Sequence, residues 1–246
     1  MSGEYYRWLA KDVKPEEKQE LTRKEKAQNW WYYHKWHLLI AAAVIFLLSD
    51  LVSDILEARR NQPDYSIAYV GSGYLPEDTV AQLTDALSQL GEDLNGNGKV
   101  QVELHQYIVY FQEEADKSAQ MGNISLDYSA QVQLAADIEN CTSFFFLMED
   151  PRQFQEDYQI LTCLDGSYPE EIEGEMYLAW IESPVLSGLS LGEYTVETLE
   201  QTYSGSSQDV LSGLYIGRRG FWQEKTCAHL EGCEALWSKL IRNPDA

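Results

Sequence analysis

TSFFFLMED, running from Thr142 to Asp150, holds the run of residues that decides the fold. Phe144 to Met148 are apolar without interruption, and no polar residue alternates with them. The run has strand length, and its lack of alternation implies a strand covered on both faces. Such strands lie inside sheets flanked by helices. Pro151 comes soon after and suits the first turn of a short helix over PRQFQEDYQIL.

Working back along the chain, SLDYSAQVQLAADIEN (Ser125–Asn140) has the composition of a helix. KVQVELHQYIVYF (Lys99–Phe111) opens with strict alternation at Val100, Val102 and Leu104, a strand signal. PEDTVAQLTDALSQLG (Pro76–Gly91) begins with Pro76, then Glu77 and Asp78, which suit the positive end of a helix. Val80, Leu83, Leu87 and Leu90 fall at helical spacing on one face. YSIAYV (Tyr65–Val70) is β-rich and runs into GSG. The order is strand, helix, strand, helix, strand, helix, which predicts a mainly parallel sheet flanked by helices. Beyond it, GEMYLAWIES (Gly174–Ser183) and DVLSGLYIGRRGFW (Asp209–Trp222) read as two more strands. CEALWSKLI (Cys233–Ile241) reads as a closing amphipathic helix. The predicted class is α/β.

Ahead of this domain stands KWHLLIAAAVIFLLSDLVSDIL, Lys35 to Leu56. Its eleven unbroken apolar residues, Leu38 to Leu48, cover only roughly 16 Å as a helix. The wider window Trp36–Leu56 is about 31 Å long, enough to cross a bilayer. Asp50 and Asp54 cost least near an interface, and they lie at one end of it. Trp30, Trp31, Tyr32, Tyr33 and Trp36 crowd the other end as an aromatic belt, and Lys35 can snorkel there. The rival readings are a cleaved signal peptide and a soluble core helix. SDLVSDILEARR offers no A-x-A cleavage site, and about 35 residues precede the run. An uncleaved anchor is the reading adopted. Arg23, Lys24, Lys26 and Lys35 on one side outnumber Arg59 and Arg60 on the other, which puts the N-terminus in the cytoplasm. The expected organisation is a charged cytoplasmic juxtamembrane segment (1–35), a single-pass transmembrane helix (36–57) and an extracytoplasmic α/β domain (58–246) in the cell membrane. KPEEKQELTRKEK (Lys14–Lys26) is too charged to bury a core, and a solvated helix leading into the span suits it.

Residues 61–246 carry eight basic residues against 31 acids, a local net charge of −23. No basic stripe exists to neutralise phosphates, so nucleic acid is excluded as a partner, as is an anionic membrane surface. Solubility is the plain reading of the charge; a cationic ligand or metal ion is the sharper one. All four cysteines, Cys141, Cys163, Cys227 and Cys233, fall in this region. An even number outside the cytoplasm permits Cys227–Cys233 and Cys141–Cys163 disulfides; four buried thiols are the alternative.

CTSFFFLMEDPRQFQEDYQILTCLDG (Cys141–Gly166) resembles a segment of type 2 extracellular solute-binding proteins. In that family an apolar strand ends in an acidic turn, an aromatic residue follows in a helix, and a leucine-rich segment returns. YSIAYVGSGYLPEDTVAQLTDALSQL (Tyr65–Leu90) is similar to their opening strand and helix. The resemblance implies one lobe of such a protein on a bacterial membrane, with a transporter or another envelope complex as the partner.

Three stretches could carry chemistry. In DLNGNGKVQVE (Asp93–Glu103), Asp93, Asn95 and Asn97 match the first three ligand positions of a calcium loop, with Gly98 at its glycine. Leu104 stands where the closing acid belongs. A Gly/Asn turn from helix to strand is the rival, and Ca2+ the only cofactor the motif suggests. Gly71, Ser72, Gly73 and Tyr74 form the loop after the first strand, at the strand end where open α/β sheets place ligands; a plain strand-to-helix turn is the rival, since only two glycines are present and Glu77 and Asp78 would repel a phosphate. Arg218 and Arg219 are the only adjacent cations of residues 61–246; they read either as structural ion pairs or as a carboxylate clamp beside Trp222. No G-x-S-x-G, H-E-x-x-H or phosphate loop is present. The expected function is therefore binding or docking of a small ligand or membrane-protein partner. A cell-surface hydrolase using acidic residues and a purely structural envelope protein are the alternatives.

Overall fold

Strand β1 (Tyr65–Gly71) is the spine of the domain, and nearly all of it is buried. It pairs in parallel with β2 (Val102–Ile108) on one side and with β3 (Phe145–Met148) on the other. The computed structural model describes residues 22–110, 124–169, 174–198, 201–221 and 225–242. Trp222 and most of the charged segment Lys14–Lys26 lie outside them. Contacts divide the chain into two units, Met1–Glu57 and Ala58–Ala246.

The first unit holds most of helix α1 (Arg23–Arg60). Its start is fixed by a reciprocal cap. Glu25 N–H donates to Thr22 Oγ1, and Thr22 N–H donates to the Glu25 carboxylate at 2.8 Å. Its window of high hydropathy has no buried share, and Ile45, Phe46 and Leu47 are each about two-thirds exposed. By length and composition this one helix is apolar enough to cross a membrane.

In the second unit, α2 (Glu77–Leu90) follows β1, α3 (Ile124–Asn140) follows β2, and α4 (Pro151–Tyr158) follows β3. The alternation expected from the sequence therefore holds, and so does the parallel pairing of the first three strands. β4 (Tyr177–Ala179), the short helix α5 (Pro184–Ser187), β5 (Glu193–Glu197), β6 (Thr202–Ser206), α6 (Ser207–Leu211), β7 (Tyr215–Arg218) and α7 (Leu230–Ile241) complete it. The sheet order is β2-β1-β3-β7-β4, with β7 antiparallel to both neighbours. The sheet is thus mostly parallel, with one strand reversed. β5 and β6 form a separate antiparallel hairpin that the sequence reading did not anticipate.

The pleat of β3 sorts its side chains onto two faces. Phe145 and Leu147 join Ile67, Ile216, Leu83, Leu87, Leu236 and Trp237 on one side. Phe146 and Met148 join Ala68, Val70, Leu134 and Phe154 on the other. A strand with a core on each face needs an unbroken apolar run, which is why SFFFLM lacks alternation. β2 starts at Val102 rather than Val100. The preceding Lys99 N–H donates to the Asn97 side chain and Gln101 N–H to Asp64, while Gln101 O already accepts from Tyr65 N–H at the start of β1.

Candidate functional site

The carboxyl end of β1 is closed by its own chain. Glu149, just past β3, reaches across to accept hydrogen bonds from Ser72 N–H and Ser72 Oγ, both at 2.8 Å, and from the Tyr69 hydroxyl at 2.7 Å. An anion-seeking backbone amide in the Gly71–Tyr74 loop has thereby found an internal carboxylate. A Cβ at Gly71 would collide with the Tyr69 hydroxyl and the Glu149 carboxyl, so a larger residue there would have to push those side-chain ends apart. Leu75 N–H is satisfied by Gln106 at 2.7 Å. Burial and the neighbouring Glu149 push the Tyr69 hydroxyl pKa upward, which keeps it a donor.

Asp93, Asn95 and Asn97 also turn their oxygens on the backbone. The Asp93 carboxylate accepts from Gly96 and Gly98 N–H, each at 2.7 Å, and from Asn97 N–H at 3.2 Å. Asn95 Oδ1 accepts from Asn97 N–H and Asn97 Oδ1 from Lys99 N–H. Their amide nitrogens donate to Gln62 O and Arg60 O. Gly96 and Gly98 take positive φ of 71° and 88°. A tight turn of this kind needs such angles, and glycine reaches them without strain. Among the described residues, no group of three or more His, Cys, Asp or Glu side chains is placed to hold a metal ion.

Arg218 and Arg219 sit at the other end of the sheet. Arg218 pairs with Phe145, the first residue of β3, whereas Gly71 lies beyond its last. At a strand's rise per residue, roughly 13 Å separates the two positions. The six residues expected to bind a ligand therefore form two sites, not one. The two arginines are themselves divided. Arg218 shares a face of β7 with Ile216 and meets Glu234 of α7 in an ion pair. Its guanidinium lies against Gly166, whose missing Cβ and positive φ make the room. Arg219 extends to α3, where Nη2 donates to Ile138 O.

Arg219 is 7 % exposed, yet its Nε and Nη1 have no hydrogen-bond partner. It forms no ion pair among the described residues. A buried guanidinium with open donors is costly unless something fills them. It lies in the wall of a cavity of about 150 Å³, which is lined also by Ile138, Glu139, Ile160, Phe221 and Lys225. The Phe221 ring centre is 5.9 Å from the Arg219 Cζ atom. Lys225 donates to the Glu139 carboxylate at 2.9 Å. That hydrogen bond and the Lys225 charge hold the Glu139 pKa below its ordinary value, with a smaller contribution from Arg219. Among the described residues, Arg219 is thus left without a carboxylate of its own. A wider groove near Asn61, Thr84 and Gln101 is polar and carries Asp85 and Glu103, but none of the buried side-chain atoms without a partner belongs to its described lining.

The pair RR marked one wall of the cavity in the sequence. Glu139 and Lys225 arrive from distant segments, and no sequence signal brought them together. The four cysteines are free thiols, three of them buried, so neither disulfide pairing is formed.

Fold and site together define a mixed α/β domain with a mostly parallel sheet and a cation-walled cavity, preceded in the chain by a helix of span length. No family model matches this chain, and no curated protein or solved structure does either.

Proposed function

We propose that this chain is a single-pass membrane protein whose acidic α/β domain stands outside the cytoplasm and binds or docks. The observation that carries the reading is the contrast between α1 and the domain after it. Apolar side chains from Leu38 to Leu56 stay exposed along α1, while the domain buries two apolar clusters of its own. A helix that exposes this much apolar surface needs lipid or a partner around it. The aromatic residues Trp30 to Trp36 then lie at the cytoplasmic interface, and Arg23, Lys24, Lys26 and Lys35 hold that end inside.

The net charge of −23 on residues 61–246 keeps the domain off an anionic bilayer. The likeness of the first and third strand–helix units to a solute-binding lobe supports a transporter or another envelope complex as the partner. A hydrolase finds less support. Glu139, the carboxylate in the cavity wall, has its pKa lowered by Lys225, the opposite of what a general acid needs.

Protease added to intact cells tests the reading. Residues 61–246 are expected to be digested while the N-terminal segment survives until the cells are lysed. Survival of residues 61–246 in intact cells, with digestion after lysis, overturns it.

A further inference from the structure

We propose that β6 pairs edge to edge with β6 of a second copy of this chain, joining two β5–β6 hairpins into one four-stranded antiparallel sheet. The inference deepens the docking reading above by naming a partner, and it rests on the membrane anchor of that reading.

The hydrogen bonds of the hairpin fix which backbone groups face outward. Opposed residues of an antiparallel pair alternate between exchanging hydrogen bonds and pointing them away. Thr195 N–H donates to Asp78, and Glu193 O accepts from Gln82, so both residues face α2. The ladder bonds therefore join Tyr194 to Gly205 and Val196 to Tyr203. The flanking bonds agree: Ser207 N–H donates to Gly192 O, and Thr198 N–H to Gln201 O. Thr195 is opposed to Ser204 and Glu197 to Thr202. The N–H and C=O of Thr202 and Ser204 thus point away from β5, as does the N–H of Ser206. Among the described residues no hydrogen-bond partner meets them, and Thr202, Tyr203 and Ser204 are exposed. The other strand edges are protected against pairing. β5 is covered by α2, β2 carries Glu103 and His105, and β4 is only three residues long. β6, TYSGS, has no charge, no proline and no bulge in its register.

Two features make a second copy the occupant. The first is charge. Domains with a net charge of −23 over residues 61–246 repel one another, and β6 offers them a neutral seam. The second is self-complementarity. Antiparallel pairing of a strand with itself has a two-fold axis, so one edge supplies both partners. An axis at Ser204 pairs β6 over its whole length, with Thr202 opposite Ser206 and about four new backbone hydrogen bonds. Tyr203 of one copy then stands opposite Gly205 of the other, beside the Tyr194 ring that already lies over that glycine. An aromatic side chain across from a strand glycine is a favourable pair. Five residues a side fall well short of the roughly 20–30 of a standard interface. The contact is therefore weak in dilute detergent, and it forms where anchoring in one membrane raises the effective concentration.

Disulfide trapping of the full-length chain in phosphatidylcholine vesicles tests this. Across the proposed axis the two Ser204 Cα atoms lie about 5.5 Å apart, within disulfide reach. The two Thr195 Cα atoms lie three strand spacings apart, about 14 Å, and beyond it. With diamide as oxidant, Ser204→Cys is expected to yield a covalent dimer at least about tenfold faster than Thr195→Cys, an exposed position of the same hairpin. The unaltered chain, whose own four cysteines are free, sets the background. Energy transfer between donor- and acceptor-labelled copies supplies a second readout without a new thiol. Ser204→Pro is expected to remove at least about half of the transfer seen with the unaltered chain. Proline there deletes an outward N–H and no ladder bond of the hairpin. Equal trapping at residues 204 and 195, or transfer unchanged by Ser204→Pro, overturns the proposal. So does trapping of Ser204→Cys in native membranes on a different protein in place of a second copy. Flotation with the vesicles reads the anchor separately. A chain that does not float fails the anchor reading and this one with it; a chain that floats but is not trapped fails this one alone.

Discussion

At the scale of single residues, the domain relies on carboxylates that accept from backbone amides rather than from cations. Asp64 is the strongest case. It is 2 % exposed, and it accepts from Leu94 and Asn95 N–H at 2.7 and 2.9 Å and from Gln101 N–H at 2.8 Å. It thus staples the Asp93–Lys99 turn to the start of β1. Asp64→Ala leaves three amides without their acceptor, and a loss of about 3 kcal/mol in unfolding free energy is expected from urea titration of the full chain. A loss under about 1 kcal/mol would mean that water replaces the carboxylate. The sequence announced the turn, because Asp and Asn bonding to nearby amides is a local habit. It held no sign of Asp64, whose partners lie far along the chain and which is one acid among many. The same holds for Asp137, buried beneath Tyr107 and Ser143.

At the scale of elements, legibility followed burial. β3 could be read because two cores write on it at once, and α2 because Leu83 and Leu87 repeat toward one of them. Phe146 is fully buried. Phe146→Ala is therefore expected to cost about 4 kcal/mol, measured by the same urea titration; near-neutrality would mean that β3 is not sandwiched. The β5–β6 hairpin went unread because little apolar pattern is needed where little is buried. Val196 and Tyr203 are 37 % and 49 % exposed. Its attachment to α2 is polar: Gln82 donates to Glu193 O at 2.9 Å and accepts from Gly192 N–H at 2.8 Å, and Asp78 accepts from Thr195 N–H at 2.9 Å. Exposed hydrogen bonds with so little apolar support open locally. Amide exchange in β5 and β6 should therefore outpace that in β1, and Gln82→Ala should speed it roughly tenfold without moving the global urea midpoint. Equal protection of the hairpin and β1 would show that the two unfold as one.

At the scale of the whole molecule, burial of weak acids in their neutral form ties stability to alkaline pH. Burial pushes the Cys227 and Cys233 thiols up to about 12 from an ordinary 9.0. Burial also raises Tyr65, Tyr69 and Tyr107 above their ordinary 10.0, helped at Tyr69 and Tyr107 by the nearby Glu149 and Asp137. In each case the folded pKa exceeds the unfolded one. The unfolded chain therefore releases protons first, and stability is fully present below the unfolded pKa and declines as pH rises towards the folded one. The thiols set the onset near pH 9, and the tyrosines add to it beyond 10. Each thiol contributes a slope of about 1.4 kcal/mol per pH unit once it is ionised in the unfolded chain. Urea titrations of the full-length chain under a phosphine reductant should show a flat midpoint from pH 7 to 8.5 and a fall from pH 9. The Cys227→Ala, Cys233→Ala double variant starts lower because of its cavities, but between pH 9 and 10 its midpoint should fall less steeply. Repulsion within the acidic chain and titration of exposed lysines act on both proteins alike and drop out of the comparison. Parallel curves for the two proteins across that interval would place the thiols in contact with water and remove them from the core packed between β3 and α7.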